Sequence, residues 1–471
     1  MDEEKSKSEW EEWKDIGRRI ERLLKDDIQK AAEAGKPGNW KETGKDIETK
    51  VRSQMAKAAG VSPDADWNEI GRHTESRIKD AFTQWAGADP NDDWTTIGKK
   101  AEAKIRSQAA GVVGADGESD WVDIGKKISG TLKSKIGDWL GEHEASEIED
   151  LDKLSEPYRG WHYYPDYVVQ PTPRDELNFS SVDCPLVWKL GDQWQMWYTG
   201  FDGRGYQTAL AVSGDLVNWE SRGLVMGFGK EGAFDYGGVT FGGALFESYD
   251  IKAQRILKKW NDKYWALYGC YPKQGGYEIR PGAEGAAWSE DAVNWHRASG
   301  EVPILSVKGA AEWEKDCIYQ PWLLEHDGRF WNFYNAANGS IEQTGLATST
   351  DMITWYRYPG NPIIRNRQGG YDESFCSDPK VFYDNGIWVM FYFGVGRGGA
   401  HIMAAFSDDL LNWKSHPDPL YKAGGHPGGL DKTYAHKVSL VYNEQNDTFY
   451  MFYCAVGEKG RGIALLTSKP I

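Results

Sequence analysis

The sequence predicts a multidomain chain of separate α and β halves: an N-terminal all-α helical repeat domain over 1–141, a linker over 142–157, and an all-β wheel of five sheets over 158–471. Three observations carry this. Composition breaks near residue 150, because all 24 tyrosines and all five cysteines lie beyond it. A repeat of 27 residues runs through the first half, and a different one, Ser-x-Asp-x-x-x-Trp, runs through the second. At 471 residues the chain is also too long for a single core.

The first repeat is marked by Trp13, Trp40, Trp67, Trp94 and Trp121, each followed four residues later by Gly17, Gly44, Gly71, Gly98 and Gly125. Asn39, Asp66, Asp93 and Asp120 precede four of these tryptophans, and Glu42, Glu69 and Asp123 stand three positions after the cap. This is a capping-box arrangement, so each tryptophan opens a helix. Apolar residues then return at helical spacing, as Ile124, Ile128, Leu132 and Ile136 do, until breaks such as GVSPDAD stop the helix. A helix with one apolar stripe must bury it, so the five helices are expected to stack on one another or on a protein partner, including a second copy. The acidic stretch from Glu142 to Pro157 suits a connector.

From Tyr158 onward, short aromatic and β-branched runs alternate with Gly, Asn and Asp. SGDLVNW (213–219), SEDAVNW (289–295), STDMITW (349–355) and SDDLLNW (407–413) repeat, and ALLTSKP ends the chain without the tryptophan. Ahead of each lies a strand closing on Tyr198, Tyr268, Tyr334, Tyr392 or Tyr453. Five such units predict a five-bladed β-propeller.

Net charge is −16, so there is no basic surplus to neutralise phosphates, which argues against nucleic acid or an anionic membrane as a partner. No run of eighteen apolar residues is present, so no membrane span is expected, and MDEEKSKSEW lacks a secretory leader. A cytoplasmic location is the default, or a secreted one if a leader was removed. Five scattered cysteines without a CxxC pair read as small buried residues, and no metal site follows from them. Gly394-Val-Gly396-Arg-Gly-Gly399 is followed by a strand and reads as a hairpin turn.

These blade motifs, with Ser377-Asp378-Pro379-Lys380-Val381 opening a strand, resemble the five-bladed propeller glycosidases, the superfamily holding glycoside hydrolase families 43, 32, 117 and 130. The resemblance covers about residues 158–471 and leaves out the helical repeats. It implies glycosidic-bond cleavage at the propeller axis on a poly- or oligosaccharide, without a cofactor. Calcium is compatible with such propellers, although no ligand run demands it.

Blade alignment separates structural acids from functional ones. Pro185, Pro321 and Pro379 stand thirteen residues before the closing tyrosine, and Val438, fifteen before Tyr453, takes the corresponding slot in the last blade. Glu314, Asp372 and Asp431 precede the slot by seven, with Asp235 in a similar place in blade two, and such repetition reads as turn-forming. Polar residues unique to one blade remain: Asp183, Asp378, His436 and Lys437. The resemblance implies that Asp183 is the base or nucleophile and that Asp378 stabilises the transition state or tunes a neighbour's pKa. Asp183 departs from the pattern by standing two residues before its proline. For the proton donor a glycosidase needs, Glu278 and Glu342 lie just before the third strand of their blades, where a side chain reaches the mouth of the axis. Asp316 and Glu373, ahead of innermost strands, are further acid or substrate-binding candidates, and His436 with Lys437 would hold a carboxylate or sulfate on the sugar. Two alternatives stay open: a non-catalytic carbohydrate-binding propeller lacking a placed acid, and a glycoside phosphorylase with a cationic phosphate pocket.

Overall fold

The computed structural model describes residues 150–171 and 179–471, Ile148, and scattered positions between 49 and 106. The chain divides into two compact units, Met1–Glu144 and Ala145–Ile471. Most of the expected helical repeat lies outside the described residues. Within them, residues 95–100 are helical. Asp93 Oδ1 accepts the Thr96 N–H at 2.7 Å, and Asp66 Oδ1 accepts the Glu69 N–H at 2.8 Å. Both are side-chain caps on the residue before a repeat tryptophan.

The second unit begins earlier than the sequence suggested. Asp150 caps a short helix, α1 (Leu151–Ser155), by accepting the Lys153 N–H at 3.0 Å. Lys414 Nζ donates to the Ile148 carbonyl at 2.7 Å, and Tyr158 donates its hydroxyl to Asp384. Ile148 and Tyr158 are buried in the main apolar core with Leu151 and Leu154 against it, so 148–158 is a docked segment and no free connector.

The strands then run in blade order. β1 (His162–Tyr163) precedes the first blade in sequence and pairs with the last strand of the chain. Blade one is β2 (Ser181–Leu190), β3 (Gln193–Phe201), β4 (Tyr206–Ser213) and β5 (Glu220–Met226). Blade two is β6 (Gly238–Ala244), β7 (Lys259–Trp260), β8 (Lys263–Tyr271), β9 (Ala283–Ser289), β10 (His296–Arg297) and β11 (Leu305–Ser306). Blade three is β12 (Cys317–His326), β13 (Arg329–Asn338), β14 (Ile341–Ser349) and β15 (Tyr356–Arg357). Blade four is β16 (Phe375–Asp384), β17 (Ile387–Gly396), β18 (Gly399–Ser407) and β19 (Lys414–Ser415). Blade five is β20 (Tyr434–Asn443), β21 (Thr448–Gly457) and β22 (Gly460–Thr467). Within each blade the strands pair antiparallel. The innermost strands β2, β6, β12, β16 and β20 follow one another around the axis, with β20 returning to β2. The Gly394–Gly399 motif is the β17–β18 hairpin, as expected.

Every Ser-x-Asp-x-x-x-Trp segment is one local device. In blade one Ser213 donates to Asp215, Asp215 Oδ1 accepts the Val217 and Asn218 N–H groups at 2.9 and 2.8 Å, and Trp219 Nε1 donates to the Leu216 carbonyl. The copies ending in Trp295, Trp355 and Trp413 repeat it, and each tryptophan leads into the outermost strand. Blade five lacks the tryptophan in sequence but not in space. Trp161 Nε1 donates to the Tyr158 carbonyl at 2.7 Å, and the next two residues form β1, which pairs with β22. The wheel is closed by its own beginning. Trp161→Phe keeps an aromatic ring but loses that hydrogen bond and part of the buried indole, so it is expected to cost about 1–3 kcal/mol of stability by urea unfolding; an unchanged midpoint would remove the tryptophan from the closure.

The recurring acids are structural, through cross-strand partners rather than turns alone. Glu314 accepts Tyr334 O–H at 2.8 Å and pairs with Arg357 at 2.8 Å. Asp372 accepts Tyr392 O–H at 2.8 Å and pairs with Arg367, and Asp431 accepts Tyr453 O–H at 3.0 Å. Asp235 pairs with Arg297. In blades three, four and five the tyrosine that closes the middle strand meets one of these acids.

Candidate active site

Each innermost strand breaks register near its start. The shifts fall at Asp183/Leu186, Phe241/Gly243, Tyr319/Trp322, Ser377/Lys380 and His436/Val438. Inside them, Cys184, Gln320, Asp378 and Lys437 take positive φ of 47, 55, 56 and 54°. Left-handed backbone is costly for residues with a Cβ, and it turns side chains that would follow the pleat toward the axis. In blade two the place belongs to Gly242, where a Cβ would come within 2.5 Å of the Pro321 carbonyl oxygen. Gln320 Nε2 reaches across to Cys184 Sγ at 3.1 Å.

Above this ring lies a group of charged side chains. Asp183 is 1% exposed. Its Oδ1 accepts the Cys184 N–H at 2.8 Å, and its Oδ2 accepts both Lys437 Nζ and Arg461 Nη1 at 2.8 Å. Burial opposes ionisation, but the two cations outweigh it and hold the Asp183 carboxyl far below the usual carboxylate range. Burial likewise works against the Lys437 ammonium and is overcome by Asp183, which keeps it charged. His436 is pushed down to about 3, by burial first and then by Lys437 and Arg461 against the pull of Asp183. Its Nδ1 meets the Cys454 carbonyl at 3.0 Å. A neutral imidazole brings no charge to an anion, so any hold of His436 on a carboxylate or sulfate rests on hydrogen bonding alone.

The two glutamates proposed from sequence do come into one electrostatic group. Loop length explains how: the β8–β9 connection, 272–282, is far longer than the short turns at the same place in the other blades, and it carries Glu278 over the axis. Glu278 has φ of 43°, and its Oε1 lies 3.9 Å from Lys437 Nζ and accepts Tyr206 O–H at 3.4 Å. Glu342 opens β14 and is 4% exposed. It accepts Ser377 O–H at 2.6 Å, with Arg280 Nη2 at 3.9 Å. Burial raises the Glu342 carboxyl above its usual range, the negative charge of Glu278 raises it further, and hydrogen bonds from Ser377 and Tyr319 only partly offset this. The pair therefore holds one buried carboxyl shifted toward its protonated form and one, partly exposed at 36%, beside an ammonium.

The remaining candidates sit elsewhere. Asp378 is buried and spends Oδ1 on Lys380 Nζ at 2.6 Å, while its N–H donates to Asn335 Oδ1. Asp316 is half-buried and accepts the Gly339 N–H at 2.6 Å, which braces the β13–β14 turn. Glu373 is exposed and has no hydrogen bond among the described residues, so it stands outside the charged group. Asp183, His436 and Cys454 could together offer a metal three ligand atoms within 4.8 Å, but the cations on Asp183 oppose a metal there.

Sequence reasoning missed Arg461, Arg280, Tyr206 and Tyr277. A simple signal existed for two of them: Tyr206, Glu342 and Arg461 each stand eight residues after the tyrosine that closes the middle strand. Tyr277 stacks on Phe201 with ring centroids 3.7 Å apart, and its hydroxyl meets Ser181 at 3.0 Å. A cleft of about 620 Å³ is lined by Phe246, Tyr249, Glu325, His326, Tyr383 and Trp388. It opens around the far ends of β12 and β16, about 20 Å of strand away from the charged group.

One more buried acid lies off the axis. Glu284 on β9 accepts Asn332 Nδ2 at 2.5 Å, and burial pushes its carboxyl up to about 8 against that hydrogen bond. The folded chain thus holds this proton more tightly than the unfolded one, whose value is about 4.3. Its contribution to stability is greatest below that pH and declines as pH rises toward 8. Glu284→Gln keeps an acceptor for Asn332 and is expected to raise Tm relative to the parent increasingly from pH 5 to pH 8. A gap independent of pH would contradict this.

A five-bladed propeller with two glutamates from neighbouring blades meeting at its axis has the architecture of the propeller glycosidases, and the likeness to that superfamily holds. Residues 254–430 match the family described as Glycosyl hydrolases family 32 N-terminal domain. The chain is 27% identical over 131 residues to a Beta-1,2-mannobiose phosphorylase of Thermoanaerobacter sp. (strain X514), a match covering 24% of this chain and 43% of that protein. It is 28% identical over 162 residues to a 1,2-beta-oligomannan phosphorylase of the same organism, covering 33% and 45%. The chain thus matches less than half the length of these curated relatives. A solved structure described as a Glycoside hydrolase is 28% identical with a TM-score of 0.60, and covers 69% of this chain and 97% of its own.

Proposed function

We propose that the propeller cleaves glycosidic bonds, with Glu342 as the proton donor to the leaving oxygen and Glu278 as the partner carboxylate on the anomeric side. The observation that supports this most is the split environment of the pair: Glu342 is buried and raised by its neighbour, and Glu278 is partly exposed beside Lys437. Asp183 takes a different role from the one the resemblance implied. Its oxygens are committed to Cys184, Lys437 and Arg461, so it anchors the cations instead of attacking a sugar. Asp378, committed to Lys380, supports the ring in the same way. A purely carbohydrate-binding propeller would lack a placed acid, and the buried Glu342, raised by Glu278 beside it, argues against that reading.

Phosphorolysis is the second reading, supported by the phosphorylase names of both curated relatives and by the cations on blades two and five. Water attacks the anomeric carbon in one case and a phosphate oxygen in the other; in both, the Glu342 proton goes to the leaving oxygen. A panel of aryl glycosides and β-linked disaccharides, assayed with and without phosphate, tests the proposal. Release of free sugar independent of phosphate is expected; sugar 1-phosphate formed only when phosphate is present would select the second reading, and no turnover on any linkage would reject both.

A further inference from the structure

The cations at the axis are unequally spent. Lys437 is 7% exposed and lies between Asp183 and Glu278. Arg461 is 24% exposed and gives Nη1 to Asp183, and its other N–H groups have no acceptor among the described residues. It opens β22 directly after the Gly457–Gly460 turn, at the mouth of the axis, with its guanidinium 5.8 Å from the half-exposed ring of Tyr277. Arg280, 38% exposed, gives Nη1 to the Gly339 carbonyl and faces Glu342 from the other side. The charge balance favours an anion. Three cations, Lys437, Arg461 and Arg280, stand around the mouth, and the charge of Asp183 is sealed beneath two of them. This happens in a chain whose net charge is −16. A guanidinium clamped on one side by a buried carboxylate is a rigid fork, and its free edge matches the two oxygens of a carboxylate.

Resting on the glycosidase reading above, we infer that the free edge of Arg461 binds an oxyanion, and that this oxyanion is the carboxylate of an acidic sugar ring seated between Tyr277 and the glutamate pair. The substrate class is then a uronic-acid glycoside. Tyr277 supplies an aromatic edge for the ring, Arg461 fixes the carboxylate, and Glu278 and Glu342 address the bond. Inorganic phosphate presents the same chemistry from another source, and the experiment separates the two.

The test uses the full chain and two readouts. Calorimetric binding of D-glucuronate and D-galacturonate is compared with glucose and galactose, and kcat/KM is compared for the matching 4-nitrophenyl glycosides, each with and without inorganic phosphate. One uronate is expected to bind about tenfold to hundredfold more tightly than its neutral counterpart, with the preference shrinking as salt rises. In Arg461→Met that preference is expected to fall below about threefold, expressed in KM. Circular dichroism checks that the variant folds, and the parent's own preference stands as a test should it not. Equal binding of acidic and neutral sugars by the parent would overturn the inference, as would a preference untouched in folded Arg461→Met. Neutral glycosides whose turnover requires phosphate, with the phosphate KM raised by Arg461→Met, would assign the site to phosphate and overturn the uronate form. Arg461-dependent uronate binding without cleavage of any glycoside would sink the glycosidase reading alone.

Discussion

Glu342→Gln is expected to lower kcat by about a thousandfold on substrates with sugar leaving groups, since a positioned general acid contributes about 10²–10⁴. The amide cannot deliver a proton, yet it retains an acceptor for the Ser377 hydroxyl, so the pocket should keep its shape. Aryl glycosides with acidic phenols need little protonation and should lose far less. The pH profile gives a second signature. Because burial and Glu278 raise the Glu342 carboxyl, the parent's activity should fall on the alkaline side as that proton is lost, at a pH above the usual carboxylate range. The variant should lose this limb. Equal losses on good and poor leaving groups, with the limb intact, would move the acid to another residue.

Asp183→Asn should produce the largest loss of stability, about 3–5 kcal/mol, because it leaves Lys437 and Arg461 without their shared counter-charge. Lys437 suffers most: it is 7% exposed, and its other carboxylate lies 3.9 Å away. The sign with pH follows from the depressed carboxyl. The stabilisation is complete above the unfolded value of about 3.9 and is lost as pH falls below it toward the lower folded value. The parent should therefore lose stability more steeply than the variant below about pH 4, and the two should converge in strong acid. Urea midpoints at pH 7, 5 and 3 measure this. A gap under about 1 kcal/mol at pH 7 would show that the cations have found other partners, and near-total inactivity with unaltered stability would return Asp183 to the catalytic role.

Periodicity carried much of the fold. The four Ser-x-Asp-x-x-x-Trp copies are local devices whose hydrogen bonds lie within a few residues, and the closing tyrosines recur at matching places in the middle strands, so each blade announces itself in sequence. Trp161 was invisible as the fifth copy because its blade is assembled from both ends of the domain, and β1 meets β22 only after the ring closes. Glu278 and Glu342 were found as mouth carboxylates from their place before a third strand. Their partnership was not legible, since it depends on an extended blade-two loop reaching toward blade three.

The sequence by itself determined the blades, their number and the polar residues peculiar to single blades, because these rest on short-range repetition and on deviation from it. The tertiary structure decided which of those residues are free to react. Asp183 and Glu278 are both acids at the axis. One is sealed beneath two cations from blade five, and the other is held partly open beside Lys437. That difference arises from contacts between residues more than 150 positions apart, where burial and counter-charge are set by blade packing.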